Sequence, residues 1–524
     1  MTKLGMLVGA TALAVAGNAG VADAFCGFYV SGSGAKLSND ATQVVLMRQG
    51  TRTVLSMQND FKGPLEDFAM VVPVPVVLKE ADVKTLPDAV FDRIDSLGAP
   101  RLVEYWEQDP CPRPYDRDDV TMRRMERRPA TKSADASSAP AGPPPTVKIE
   151  AKFDVGEYKI LILSATDSSG LETWLKQNKY KIPDGAEPLL RPYVESGSKF
   201  FVAKVDPKKV NMVDDPVSQT KRAALSPLRF HYDSEEFSLP IRLGLANSSG
   251  KQDLIVNILS LDKRYEVANY KNVFIPTNFD VKASVKTRFA EFYAALFDKT
   301  LEANPRSVVT EYAWTAQPQL KCDPCPPEVP ADADVMSLGG DIIGGRITQG
   351  HYVLTRLHAR YSKADMKDDL RFREAKPVTG GREIRTKNGL EYGAVPSAQN
   401  FFQGRYAVRY WWTGPIRCQN PQRGVWGGPP DGGYRQTIAA SKTAFAPRGK
   451  LQLAQLIKRD LWEIGFKKAP AAVPPPKGQK FSTPPATPPK AKAMGLGIGV
   501  LGGAVLIGLG MLIARRRTSG WKKH

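Results

Sequence analysis

Histidine and cysteine are both scarce in this chain of 524 residues, with four and five copies. Four histidines are too few for an obvious metal or general-base cluster. His351 and His358 lie seven positions apart on one predicted strand, so they should point to opposite faces and not bind one metal ion. His231 is most simply a residue of another strand. The sequence therefore predicts no catalytic residue, no metal site and no cofactor.

The chain also has too few acidic residues to balance its basic ones, which leaves a formal net charge of +19. A strongly basic chain can attract nucleic acid. Much of this excess, however, lies outside the predicted folded parts, in two linkers and at the end of the chain. We therefore predict no nucleic-acid partner. The residues concerned are Arg123, Arg124, Arg127, Arg128, Lys477, Lys480, Lys490, Lys492, Arg515, Arg516 and Arg517.

Residues 1–24 are predicted to be a secretory signal peptide. Lys3 forms a short basic region, an apolar run follows, and Ala22 and Ala24 frame a small-x-small cleavage site. The apolar run is too short and wrongly flanked for a membrane span. Cleavage after Ala24 would leave Phe25 as the new N-terminus.

The other end of the chain carries about twenty uncharged residues, 495–514, a length that crosses a bilayer. Arg515, Arg516 and Arg517 follow directly, so the positive-inside rule predicts a cytoplasmic tail, 515–524, and a body beyond the membrane. Residues 469–493 are rich in proline and predict an extended spacer. Membrane lipid is thus one predicted partner. The same features also fit a tripartite sorting signal, from which the span is removed after export.

Between these ends the sequence predicts an α+β fold, predominantly β, in which antiparallel sheets pack with a few helices. The stretch from Cys26 to Pro75 is organised as a β-sheet nucleus, with a strand at Gly27–Val30, two strands around Gln49-Gly50 and a strand at Phe68–Val74. The predicted parts are an N-terminal β-rich part (25–112), a flexible linker (113–146), a mixed α/β part (147–320) and a C-terminal β-rich part (321–468).

Helices are predicted by apolar spacing and by start signals. The longest, Lys282 to Ala303, carries one apolar stripe that should pack on a sheet. A helix at Pro87–Leu97, another opened by a capping box at Ser169, and a closing helix near Leu451–Ile464 complete the prediction. The stripe consists of Val285, Phe289, Phe292 and Leu296.

Disulfide bonds are the expected use of cysteine in an extracytoplasmic body. The odd number of cysteines leaves one thiol over or an intermolecular bridge. From their positions we favour the pairs Cys26–Cys111 and Cys325–Cys418. The candidates are Cys26, Cys111, Cys322, Cys325 and Cys418.

Cys322 and Cys325 also have the Cys-x-x-Cys spacing that redox-active pairs and half zinc sites use. The sequence has no second pair at this spacing, and a proline-rich loop surrounds the motif where a thioredoxin has a strand-to-helix turn. A disulfide therefore fits these cysteines better than redox or zinc chemistry.

Tryptophans near residue 411 form a candidate binding surface. Trp411, Trp412 and Trp426 could stack on the flat apolar face of a sugar or a peptide. Core packing, or a rigid loop around Trp426, is the interpretation that we favour from the sequence alone.

Eight short segments carry a resemblance to a known family. Together they cover, in pieces, most of the chain from Cys26 to about Pro377, and they resemble the bacterial family catalogued as domain of unknown function 2330. The resemblance implies a bacterial extracytoplasmic protein, and it implies no reaction and no catalytic residues. The segments are Cys26–Val30, Gln43–Leu46, Thr53–Gln58, Asp67–Pro75, Tyr158–Leu163, Gly170–Leu175, Pro227–Phe230 and Tyr352–His358.

These observations predict a membrane-anchored extracytoplasmic protein that is a non-enzymatic binding or envelope-structural module. Its predicted partner, besides lipid, is an envelope protein or a polysaccharide. The alternative is an envelope enzyme, either a hydrolase or a thiol oxidoreductase that uses Cys322 and Cys325. A hydrolase would require His231 or His358 to lie within hydrogen-bond reach of a nucleophile.

Overall fold

The computed structural model describes residues 28–31, 38–62, 68–111, 147–178, 180, 182, 186–214, 221–247, 250–316, 324–326, 329–362, 364–386, 389–433, 437–440, 446, 448–449 and 451–468. Strands dominate this part of the chain. In chain order they are β1 (Phe28–Ser31), β2 (Ser38–Gln49), β3 (Arg52–Lys62), β4 (Phe68–Val74), β5 (Val83–Thr85), β6 (Arg101–Glu107), β7 (Val147–Val155), β8 (Tyr158–Ala165), β9 (Lys199–Val205), β10 (Asn211–Asp214), β11 (Lys221–Ala224), β12 (Leu228–Asp233), β13 (Ser238–Leu239), β14 (Gln252–Ser260), β15 (Arg264–Val267), β16 (Lys271–Phe274), β17 (Phe279–Asp280), β18 (Ser307–Ala316), β19 (Tyr352–Tyr361), β20 (Leu370–Ala375), β21 (Val378–Gly380), β22 (Arg385–Thr386), β23 (Gly389–Leu390), β24 (Val395–Pro396), β25 (Phe401–Gln403), β26 (Arg405–Tyr410), β27 (Trp426–Gly427) and β28 (Thr437–Ala439).

The helices are fewer and mostly short. The α-helices are α1 (Asp88–Gly98), α2 (Ser168–Gln177), α3 (Glu187–Glu195), α4 (Phe289–Ala303), α5 (Asp332–Val335) and α6 (Asp341–Ile343), with a π-helical turn at Met336–Gly340. Short 3₁₀ helices lie at Glu80–Asp82, Pro207–Lys209, Leu243–Asn247, Ala283–Arg288, Gly345–Gln349, Leu453–Gln455 and Trp462–Ile464.

The largest sheet has eleven strands, in the order β24-β21-β25-β18-β19-β14-β2-β3-β12-β5, with β16 paired to β18. Its strands come from all three of the predicted β-rich and mixed parts. β2 and β3 form a hairpin whose turn contains Gly50 at φ 58°, a left-handed conformation that glycine adopts without steric cost. β14 lies in the centre, between β2 and β19, and all of its residues are buried.

A second, five-stranded antiparallel sheet has the order β1-β4-β9-β8-β7. It packs face to face on the large sheet, as in a β-sandwich. Met70 and Val72 of β4 share one apolar core with Val44 and Leu46 of β2. The alternate residues of β4 and β9 point to the other face, where α2 and α3 cover them.

The predicted β-sheet nucleus is therefore divided between two sheets. β1 and β4 belong to the five-stranded sheet, whereas β2 and β3 belong to the large one. The prediction of one nucleus was wrong because strand partners come from distant parts of the chain. β4 pairs with β9, and β2 pairs in parallel with β14.

Helices α1 and α4 cover the face of the large sheet that is turned away from the sandwich core. Val90 and Ile94 of α1 pack with Val45 of β2, and Phe292 of α4 packs with Val309 of β18. The four residues of the predicted apolar stripe are all buried, which confirms that this helix packs on a sheet.

Two predicted helix features were wrong. The closing helix near Leu451–Ile464 is absent: within 451–468 the structure has only 3₁₀ helices at Leu453–Gln455 and Trp462–Ile464. Apolar residues at helical spacing are buried here, but Ile457 forms a β-bridge with Val281, so tertiary pairing overrides the spacing. The capping box predicted at Ser169 is also wrong. Helix α2 begins at Ser168, and its cap is Asp167, whose carboxylate accepts from the backbone N–H groups of Ser169 and Gly170.

A third sheet positions the candidate site. It contains β17, β26, β6 and β27, with β28 also paired to β6. β26 and β6 run parallel, with Arg405 opposite Arg101 and Tyr410 opposite Trp106. Since parallel strands end at the same edge of a sheet, the segments that follow β6 and β26 emerge side by side.

The fold is thus predominantly β, with several mostly antiparallel sheets and few helices, as predicted. Within the described ranges no helix is long and apolar enough to cross a membrane. The predictions for the cleavage site at Ala22 and Ala24, the linker 113–146, the spacer 469–493, the span 495–514 and the anchors Arg515, Arg516 and Arg517 lie outside the described residues.

Candidate functional site

An exposed loop at the edge of the third sheet is the candidate site. It comprises residues 411–426, which connect β26 to β27, and we call it the tryptophan loop. The segment 108–111 leaves β6 at the same edge. The rings of Trp106, in the penultimate position of β6, and Tyr410, the last residue of β26, stack with centroids 5.1 Å apart.

A disulfide bond joins the tryptophan loop to the end of β6. Cys111 and Cys418 are 307 residues apart in sequence, and their Cα atoms are 5.5 Å apart. Next to the bridge, the backbone N–H of Gln422 donates to the carbonyl of Pro110 at 2.7 Å. The loop is therefore attached covalently and by backbone hydrogen bonding.

Both cysteine pairs that the sequence favoured, Cys26–Cys111 and Cys325–Cys418, were wrong. The parallel pairing of β6 with β26 brings Cys111 and Cys418 to one edge, and no local pattern in the chain predicts that pairing. Cys325 is also disulfide-bonded. Cys26 and Cys322 lie outside the described residues.

Glu107, the last residue of β6, holds the base of the loop. It is 1% exposed, and its carboxylate accepts from the backbone N–H groups of Trp412 at 3.0 Å and Gly424 at 2.7 Å. Arg423 lies 3.0 Å from the same carboxylate. Burial disfavours the charged form, but these donors outweigh it and lower the pKa of Glu107 below its ordinary value. Both ends of the loop are thus fixed to one ionised side chain.

The aromatic rings of the loop are held by one another and by arginines. Trp411 meets Trp426 edge to face, with centroids 4.9 Å apart. The guanidinium of Arg423 lies 5.9 Å from the centroid of Trp411, and that of Arg409 lies 4.8 Å from the centroid of Trp426. Such cation–π and edge-to-face contacts fix the orientation of the rings.

The exposed side chains of the loop include apolar, amide and basic ones. Trp411 is 58% exposed, and Val425 and Ile416 are also exposed. Of core packing and a rigid loop, the two arrangements that we favoured from the sequence, Trp411 has the second, and Trp412 is half-buried. Exposed amide side chains lie in the same loop. They belong to Gln419, Asn420 and Gln422.

A second polar assembly lies between the large sheet and helices α1 and α4, and we call it the buried charge network. Arg356 bridges Asp95 at 2.6 Å and Glu311 at 2.7 Å. Arg448 bridges Asp253 at 3.0 Å and Asp298, and Arg360 also bonds Asp253. The network contains four acidic and four basic residues, namely Asp95, Asp253, Asp298, Glu311, Arg356, His358, Arg360 and Arg448.

His358 is at the centre of this network and is fully buried. Its Nδ1 lies 2.6 Å from Oε1 of Glu311, and its Nε2 lies 3.0 Å from Oδ1 of Asp253. The ring of Phe297 stacks on the imidazole at 3.9 Å. Only a doubly protonated imidazole can donate to both carboxylates. Burial acts to lower the pKa of His358, but Glu311 and Asp253 outweigh it and raise this pKa above its ordinary value.

This geometry makes His358 a charged hydrogen-bond donor, whereas a general base needs a free ring nitrogen. His231 on β12 is half-buried, and its Nε2 lies 3.4 Å from Oδ1 of Asp82. Burial lowers the pKa of His231. In the described part of the chain, the ring nitrogens of both histidines lie against carboxylates and not against a hydroxyl or thiol group.

Sequence reasoning missed the network, although β19 carried a signal for it. Arg356, His358 and Arg360 alternate along a strand that is otherwise apolar except for Thr355, so they share one face, and Asp253 is the second residue of β14. Charged side chains at alternate positions of a central strand need buried partners. The identity of those partners, Asp95 on α1 and Glu311 on β18, depends on packing.

His351 lies apart from this network. It directly precedes β19 and lines a cavity of about 190 Å³ together with Asp262, Arg346 and Asn400. Within the described ranges, no group of three or more histidine, cysteine, aspartate or glutamate residues is placed to hold a metal ion.

The structure thus defines a β-rich body with a buried charge network and an exposed aromatic loop. Residues 20–373 match the family described as "Uncharacterized protein conserved in bacteria (DUF2330)", and the chain belongs to this family. No curated protein and no solved structure matches the chain. Most of the buried charge network falls inside the matched range, whereas the tryptophan loop follows it.

Proposed function

We propose that this protein is a membrane-anchored extracytoplasmic module that binds envelope polysaccharide through its tryptophan loop. The observation that carries the proposal is Trp411, a tryptophan with more than half of its surface in solvent, held edge to face on Trp426. An exposed indole offers a flat apolar face to a ligand, and Ile416 and Val425 are exposed in the same loop.

The chemistry around Trp411 favours a sugar over an apolar peptide. The flat indole face suits the apolar C–H face of a pyranose ring. Gln419, Asn420 and Gln422 supply both donors and acceptors, which neighbouring sugar hydroxyl groups require. An apolar peptide would leave these amides without partners, which is costly once water is excluded.

The rigidity of the loop supports a binding role. The Cys111–Cys418 bridge and the two N–H groups bound by Glu107 fix the loop before any ligand arrives. A surface that is already ordered loses less conformational entropy on binding, so more of the contact energy appears as affinity.

The extracytoplasmic location is supported by the predicted signal peptide, by the apolar segment 495–514 followed by three arginines, and by the Cys111–Cys418 disulfide. A lysine reagent that cannot cross membranes should label the body in intact bacteria, and the mass of the mature C-terminus will show whether the span is retained. Labelling that appears only after lysis would contradict this location.

The binding proposal is tested with the full-length protein in detergent and insoluble polysaccharide isolated from bacterial envelopes. Trp411→Ala should weaken retention about tenfold or more, the size of loss expected for a central aromatic contact. Trp462→Ala is a matched control, because Trp462 is 76% exposed and lies in a different segment, where it stacks on Tyr392.

Retention of the wild-type protein that is lost in Trp411→Ala and kept in Trp462→Ala supports the proposal. Equal losses in both variants would indicate non-specific adsorption through exposed aromatic rings. Failure of the wild-type protein to bind any envelope polysaccharide would refute the proposal for this loop.

A further inference from the structure

We propose that the segment 451–468 docks on an anionic lipid surface, with the ring of Trp462 at the membrane interface and lysine side chains on the lipid headgroups. We call it the docking segment. The inference rests on the membrane anchor of the proposed function, and it does not depend on polysaccharide binding.

The docking segment has one buried face and one outer face. Five apolar side chains pack in the core next to α4, so the exposed side chains of Lys458, Trp462, Lys467 and Lys468 project on the outer side. Because the core holds this segment firmly, its outer face is a fixed part of the body surface. The buried residues are Leu453, Ile457, Leu461, Ile464 and Phe466.

Trp462 is the most exposed large apolar side chain of the described residues, at 76%. Its ring stacks on Tyr392, with centroids 6.0 Å apart and planes within 13° of parallel. The hydroxyl of Tyr392 donates to Glu463, and the guanidinium of Arg459 lies 4.2 Å from the Tyr392 centroid. The tryptophan is therefore held outward in a defined orientation. Tryptophan is enriched at the membrane–water interface, where its apolar ring and its N–H group are both accommodated.

The surroundings of Trp462 are basic. Asp460 accepts from the backbone N–H of Lys468 at 2.9 Å, and Glu463 accepts from Tyr392, so both acids already have partners within the body. In the described part of the chain, the four lysines of this surface form no ion pair. Anionic headgroups attract such lysines. The surface carries five cations, namely Lys282, which is joined to Leu456 by a backbone hydrogen bond, Lys458, Arg459, Lys467 and Lys468.

The position of the docking segment in the chain places it next to the predicted anchor. Twenty-six residues, 469–494, separate it from the predicted span 495–514. Fully extended, they reach about 80 Å, which is an upper limit on the separation. Because the tether starts at this segment, it keeps the segment at a high effective concentration near the bilayer, so weak contacts are sufficient for docking. The tether adds Lys477, Lys480, Lys490 and Lys492 and no acidic residue.

Tryptophan quenching tests the docking on the full-length protein, reconstituted into bilayers of phosphatidylcholine alone or mixed with phosphatidylglycerol. Bromine-labelled lipid quenches tryptophan rings that it contacts. In the mixed bilayers, the emission lost on bromination should be smaller for Trp462→Phe than for the wild type. It should be unchanged for Trp411→Phe, the matched control, because this variant removes an exposed ring of the tryptophan loop. High salt should reduce the Trp462 contribution, because it screens the attraction to the headgroups.

The lysines are tested by a triple variant and a control with the same loss of charge. Replacing Lys458, Lys467 and Lys468 together with glutamine should lower the ratio of docked to undocked protein about tenfold or more, since each lysine near an anionic surface contributes roughly a factor of five. The control variant should keep the Trp462 contribution. It carries the same replacements on and beside the five-stranded sheet, at Lys152, Lys208 and Lys209.

The outcomes separate the docking from the anchor. Flotation of the protein with both kinds of bilayer, without any quenching that depends on Trp462, would overturn the docking and leave the anchor in place. Equal effects of the two lysine variants would overturn the assignment of the lysines to the lipid surface. A protein that floats with neither bilayer would contradict the docking and the anchor together.

Discussion

The buried charge network and the tryptophan loop depart from ordinary side-chain preferences in opposite directions. In the network, Arg356 and Glu311 are completely removed from solvent, whereas in the loop Trp411 is largely exposed. Buried charge requires paired partners, whereas an exposed indole can serve as a contact for a ligand. The two regions therefore have different uses, although both contain arginine and aromatic residues.

The difference lies in what the polar groups face. In the network, carboxylates face guanidinium and imidazole groups from other elements, so the interactions hold the large sheet to α1 and α4. In the loop, Glu107 is buried and faces backbone N–H groups, while the aromatic surface faces solvent. The first arrangement determines stability, and the second leaves a surface available for binding.

The largest effect is expected from Glu311→Gln, which breaks the network at its centre. Glu311 accepts from Arg356, His358 and Tyr293, so the neutral amide leaves each of two buried cations with one carboxylate partner in place of two. The free energy of unfolding should fall by about 3–5 kcal/mol. Denaturant unfolding measures this loss, and Glu302→Gln, in an exposed pair with Lys299, is the control. Equal losses in the two variants would contradict a structural role for the network.

The next largest effect concerns the Cys111–Cys418 disulfide bond, which fixes the tryptophan loop. Replacing Cys111 and Cys418 together with serine should lower the free energy of unfolding by about 2–4 kcal/mol, because the bridge closes a very long loop of the chain. The same variant should weaken polysaccharide retention, since the loop must be ordered on binding. Amides of β19 should lose protection only by the factor that corresponds to this loss of global stability. A larger loss of protection in β19 would show that the two regions are coupled.

A smaller effect is expected from acidification, which should lower the stability that the buried charge network contributes. Burial acts to raise the pKa values of Asp253 and Glu311, but His358 and the arginines outweigh it and lower both. A carboxylate whose pKa is lower in the folded state than in the unfolded state stabilises the fold at pH values above its unfolded-state pKa. This stabilisation is lost as the pH falls towards the folded-state pKa, at about 1.4 kcal/mol per pH unit for each proton taken up. Thermal melts should show a smaller loss on acidification for Glu311→Gln than for the wild type. Identical acid profiles would contradict this assignment.

The smallest effect on stability is expected from Arg423→Met. The side chain of Arg423 is 41% exposed, so its pair with Glu107 should contribute about 1 kcal/mol or less. Binding should be affected more than folding, because Arg423 also orients Trp411. A thermal melt combined with the retention assay checks both expectations, and Arg417→Met in the same loop is the control. A large loss of stability would mean that the loop is part of the core.

Local patterns in the sequence were sufficient for individual elements. An apolar run ended by prolines predicted β4 at the bounds that the structure shows, and the stripe of four apolar residues predicted that α4 packs on a sheet. The same reasoning failed for the stretch near Ile457, where helical spacing occurs without a helix. Spacing reports which side chains are buried, and the backbone there pairs with β17, a partner distant in sequence.

By itself, the amino-acid sequence determined that the chain is rich in strands and which family it belongs to, because strand alternation and family motifs are properties of neighbouring residues. Only the tertiary structure decided that Cys111 pairs with Cys418, that Glu311 meets His358, and that Trp411 faces solvent. These outcomes depend on which distant strands lie side by side. That choice depends on the packing of the whole body, and no short segment of the chain specifies it.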